Sequence, residues 1–199
     1  GTLEFRRVVG AMNALSGRVR QMLSEEAERL EALRFQSQHD ALTCLMTRAQ
    51  FLRQVESALE REDARAGGTL VIARIADMAA LNRRLGRPAV DALLRTLGHH
   101  LLHLASSQPG WEAGRLNGTD FALLACGEED AAAVAQRMQV EIDRAIAHAG
   151  EGEPLEVAFA LGACAFAPGT ALKALLAHTD GALAGAEQDG ARMIRIADP

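Results

Sequence analysis

Three acidic side chains and one histidine pair are the groups in this chain best suited to hold a divalent cation. Asp77 follows a short apolar run, Asp91 follows a Gly-Arg-Pro break, and Asp120 sits in a tight turn within Gly114-Arg115-Leu116-Asn117-Gly118-Thr119-Asp120-Phe121. Carboxylates hold Mg²⁺ against phosphate oxygens, so such residues at strand ends are the usual equipment of phosphoryl transfer. Asp77 is also a good helix N-cap, and Asp120 a good turn residue that satisfies backbone N–H groups. His99 and His103 are four apart on a helical pattern, a spacing that suits a metal. No acid lies within helical reach on that face, and a partly exposed structural pair is the simpler expectation.

The elements that must carry these groups follow from periodicity and punctuation. From Leu3 to about Gln38 there is no proline, and Val8, Met12, Leu15, Val19, Leu23, Ala27 and Leu30 recur at spacings of three and four. They form a coiled-coil seam with one stutter between Val19 and Ala27 on a helix roughly 50 Å long at about 1.5 Å per residue. Such a stripe calls for a second copy of the helix; packing against its own domain is the alternative. Beyond it the pattern predicts helices over 48–59, 77–85, 88–104, 131–147 and 171–188. Strands are predicted over 69–75, 111–116, 121–126, 155–166 and 193–196. Helices between strands, with one antiparallel hairpin, give an α+β domain: a mixed sheet covered by helices over 39–199, preceded by the helical segment 1–38.

Composition narrows the function. The net charge of -5 and pI near 5.7 speak against a nucleic-acid-binding surface. Lys173 is the only lysine. Cys44, Cys126 and Cys164 are odd in number and set in apolar surroundings, as expected of reduced core or near-core thiols. No apolar run is long enough for a membrane span. Gly1 in place of an initiator Met, in mid-pattern, points to a piece of a longer chain whose other parts include membrane segments.

The hairpin Asn117-Gly118-Thr119-Asp120-Phe121 resembles the Gly-Gly-Asp/Glu-Glu-Phe signature of GGDEF domains, the diguanylate cyclase family. Asp40-Ala41-Leu42-Thr43-Cys44-Leu45-Met46-Thr47-Arg48 resembles the family's Asp-x-Leu-Thr-x-Leu-x-Asn-Arg opening. Leu81-Asn82 with Gly86 and Asp91, and Thr179-Asp180-Gly181-Ala182-Leu183, resemble two further family stretches in the correct order. The resemblance implies a palm-like sheet and a dimer in which each subunit presents GTP and metal to the other.

Position by position, the resemblance also implies that the chemistry has been lost. Arg74 stands where the first metal carboxylate belongs and Thr119 where the second does. Ala79 and Glu187 replace phosphate-binding lysines, and Ala191 an arginine. Asn117 replaces the first glycine, on the expectation that asparagine tolerates positive φ. Asn82, Asp91, Asn117, Gly118 and Asp120 are left as vestigial nucleotide positions, with no catalytic residue, metal ligand or cofactor expected. The product-inhibition motif Arg-x-x-Asp is replaced by Gln108-Pro109-Gly110-Trp111.

Val8 to Leu15 resembles the second helix of a HAMP relay, and the Glu-Ala-Glu-Arg-Leu-Glu run a signalling helix. The combination resembles LapD-type receptors of proteobacteria. That likeness implies a homodimer through the helix, an adjacent EAL domain that binds cyclic-di-GMP, and a place on the cytoplasmic side of the inner membrane. A GTP-binding regulatory domain of a phosphodiesterase is the alternative.

Overall fold

The computed structural model describes residues 1–198 and divides into two compact units, Gly1–Gln38 and His39–Pro199. The first is a single helix, α1 (Thr2–Gln38), with no buried residue. All seven seam residues from Val8 to Leu30 are exposed on it. Leu3, Phe5, Val9, Met22, Leu33 and Phe35 add to this apolar surface.

The second unit is built on a six-stranded sheet of order β1-β3-β4-β2-β5-β6. Its elements in chain order are β1 (Met46–Thr47), α2 (Arg48–Leu59), β2 (Gly68–Ile75), α3 (Met78–Leu85), α4 (Arg87–Ser106), β3 (Trp111–Arg115), β4 (Asp120–Cys126), α5 (Ala131–Ala149), β5 (Phe159–Phe166), α6 (Leu172–Asp189) and β6 (Ile194–Ala197). β2 lies antiparallel between β4 and β5, while the outer pairs β1–β3 and β5–β6 are parallel. Alternation along β2 divides the core. Val71, Ala73 and Ile75 pack in one cluster with residues of α4 and α5; Leu70 and Ile72 join the other, with residues of α2 and α6. Phe51, Phe121 and Phe159 are fully buried, each contributing about 1.5–3 kcal/mol of apolar transfer.

The caps follow local chemistry. Thr47, Asp77 and Asp130 each accept a hydrogen bond from the backbone N–H three residues on, opening α2, α3 and α5. Gly86, at φ 84°, ends α3 and begins α4. α6 lies very close to β5: a Cβ on Gly162 would stand 2.3 Å from the backbone nitrogen of Leu183.

The structure departs from the sequence expectation at several points. The two-residue β1 was not foreseen. The strand expected from Leu155 begins at Phe159, because its antiparallel neighbour β2 ends at Ile75, the residue paired with Phe159; just beyond that pair the Ala158 carbonyl accepts from the Ala76 N–H. Pro88 is the second residue of α4, not its first. Cys44 is exposed with a left-handed backbone (φ 61°), whereas Cys126 and Cys164 are buried thiols. The other element ends shift by one or two residues.

Candidate functional site

β2 and β4 bring Arg74 and Asp120 directly opposite each other, as register partners at the end of the ladder. Arg74 takes the same alternating face as Leu70 and Ile72, the face covered by α6, and this brings it to Glu187. The guanidinium grips Asp120 with two hydrogen bonds, Nε to Oδ1 and Nη2 to Oδ2, each 2.7 Å. Its Nη1 donates to Glu187 Oε2 at 3.3 Å. One cation therefore joins two strands and a helix through two carboxylates.

The electrostatics follow from burial. The Asp120 side chain is only 6% exposed, against 35% for both Arg74 and Glu187. Burial alone would raise the Asp120 pKa; the hydrogen bonds from Arg74 and Thr119 outweigh it and hold the carboxyl below its ordinary value. Asp120 in turn raises Arg74 above an already high value. A bidentate pair of this kind, with its carboxylate buried, is among the stronger charge-assisted contacts in proteins.

The turn before β4 is organised by Asn117. Its Oδ1 accepts from the backbone N–H groups of Thr119 and Asp120, each at 2.9 Å. The backbone-binding role expected of Asp120 therefore belongs to Asn117, and Asp120 is an ion-pair partner instead. Asn117 also keeps a negative φ, so it serves the turn through its side chain and not through left-handed backbone. The Thr119 hydroxyl stands 2.9 Å from Asp120 Oδ1 and 3.1 Å from Asn117 Oδ1. Gly118 is exposed at the tip. Arg115 wraps the turn, donating to the carbonyl oxygens of Asn117 and Gly118 and to Asp40 Oδ2. Asp40 also accepts from the Thr43 backbone and hydroxyl, so the opening loop and the hairpin share one arginine.

The other two acids lie apart from this cluster in chemistry. Asp77 has a left-handed backbone (φ 43°) and spends its carboxylate on the Ala80 N–H, as a helix cap. Asp91 is half-buried in the first turns of α4. Asn82 on α3 is half-buried, and its Oδ1 is buried with no donor. Such an oxygen carries a desolvation cost of about 1–3 kcal/mol. A depression of about 220 Å³ adjoins Arg74 and Glu187, and a groove of about 510 Å³ runs along the Asp77–Arg84 side of α3.

The histidines resolve differently from the helical-wheel expectation. His100, not His99 or His103, has the close contact: its Nδ1 is 3.0 Å from Glu141 Oε2 on α5. Glu141 also accepts from Arg144 at 2.7 Å. The partner comes from another helix, which a search along one helix face does not reach. His99 and His103 are exposed, and among the described residues no group of three or more His, Cys, Asp or Glu side chains is arranged to hold a metal.

Sequence reasoning missed the pairing of Arg74. The signal was present in the charges: a cation replaces an expected acid at 74 and an acid replaces an expected cation at 187, a reciprocal exchange that keeps the local balance.

A mixed sheet of this order with helices on both faces, and a hairpin turn at the end of its central ladder, is the architecture of a GGDEF domain. Residues 37–193 match the family described as diguanylate cyclase, GGDEF domain, and the chain belongs to that family. It is 33% identical over 121 residues to the probable diguanylate cyclase DgcE of Escherichia coli (strain K12), covering 59% of this chain and 11% of that protein. The chain thus spans about a tenth of that curated relative. Among solved structures it is similar to the coiled coil and GGDEF domain of DgcB from Caulobacter crescentus in complex with c-di-GMP. That likeness has a TM-score of 0.78 at 20% identity, over 94% of this chain and 99% of that one. It is also similar to the S helix-GGDEF-EAL portion of Vibrio cholerae LapD, with a TM-score of 0.71 at 18% identity, over 88% of this chain and 41% of that one. At these identities the structural likeness shows the fold. Among the described residues no helix is long and apolar enough to cross a membrane.

Proposed function

We propose that this chain is a catalytically inactive GGDEF module that serves dimerisation and signal relay within a transmembrane cyclic-di-GMP receptor. On this proposal the ligand is bound by an adjacent EAL domain and not here. The observation that carries it is the Arg74–Asp120–Glu187 triad. Phosphoryl transfer in this family calls for carboxylates that hold metal ions against phosphates. Here Asp120 and Glu187 are both engaged by one internal guanidinium, and Thr119 offers only a neutral hydroxyl. The donor set does not fit Mg²⁺, so no catalytic step is assigned to it.

The product-inhibition position supports the same reading. Trp111 is buried, and the Arg137 guanidinium lies 4.5 Å from its ring centroid, a cation–π contact where the resemblance implies an acid. The exposed seam of α1 supports association of two copies through that helix, as in a coiled coil. The place on the cytoplasmic side of the inner membrane rests on the LapD-type likeness.

The test is a turnover assay of the purified protein with GTP and either Mg²⁺ or Mn²⁺. Cyclic-di-GMP formation by the unmodified chain overturns the proposal. Activity gained by Arg74→Asp combined with Thr119→Asp supports loss of the carboxylates as the cause.

A second reading, a non-catalytic GTP-binding regulatory domain, is favoured by one observation: the unpartnered Oδ1 of Asn82, with Asp91 retained. It predicts saturable, guanine-selective binding that Asn82→Ala abolishes.

A further inference from the structure

We draw no further inference here: the strongest candidate, the side-chain cluster of His100, Glu141 and His148 between α4 and α5, has its one carboxylate already shared between His100 and Arg144, and nothing in the structure shows a second packing of the two helices that a change of protonation would favour.

Discussion

The hairpin end of β2 and the Asn82 end of α3 are both positions where the family resemblance implies nucleotide contacts, and they have been resolved in opposite ways. At the first, every charge has an internal partner: Arg74 holds Asp120 and Glu187, and Asn117 ties the turn. At the second, Asn82 keeps an oxygen with no donor. A saturated cluster is structural, because it needs nothing from outside. An unsatisfied buried oxygen costs stability, and such a group persists without detriment only where something else offsets it. The contrast separates residues that hold the fold from residues that still have bonding capacity to offer.

The comparison is broken most severely by Arg74→Ala, which strands Asp120 in a site where it is 6% exposed. Removing one partner of a buried pair costs about 3–5 kcal/mol, and the partial exposure of Arg74 places the effect near the lower figure. Denaturant unfolding of the globular unit should register it; a loss under about 1 kcal/mol would mean that the triad is ornamental.

Next in size is the response to acid. Asp120 titrates below its ordinary value when folded, so its stabilising contribution is complete above the unfolded value near pH 4 and is lost as pH falls through the folded one. Thermal melts of the native protein should therefore fall off below about pH 4. In Arg74→Gln the part of that decline due to Asp120 should shrink or reverse, because burial without the guanidinium pushes its carboxyl up and favours the protonated form in the folded chain.

Asn82→Leu sharpens the other half. Replacing an unpartnered polar group by an apolar one of similar size should be neutral or stabilising by up to about 1 kcal/mol. A marked loss of stability would show that the oxygen is bonded in solution, and the contrast with Asp120 would fail. The smallest effect is expected of Glu187→Gln. Its carboxylate is 35% exposed and its contact is the longest of the triad, so calorimetric unfolding should change by no more than about 1 kcal/mol.

The sheet was legible in the sequence because its strands are short, apolar and bounded by turn residues; Gly118 and Asn117 mark the hairpin as plainly as β2 is marked by Leu70, Val71 and Ile72. What escaped was whatever depended on a partner distant in sequence. β1 is two residues long and exists through its pairing with β3. The start of β5 is set by where β2 stops, which the alternation Leu155 to Val157 does not encode. Arg74 is 46 residues from Asp120 and 113 from Glu187, so each substitution viewed singly looks like loss, and the bond between them is visible only in space. His100 and Glu141 were missed for the same reason. Asp77 was legible as a cap because capping is local.

Gly162 gives the triad an unexpected dependence. With no side chain at that position, α6 settles onto β5 with its backbone almost touching the strand, and Glu187 is carried to within reach of Arg74. A single methyl group at 162 would push the helix outward and lengthen a contact that no substitution near the charges had altered. Along this chain, the tolerance of the charge exchange at 74 and 187 is set by an atom that is absent from the middle of the sheet.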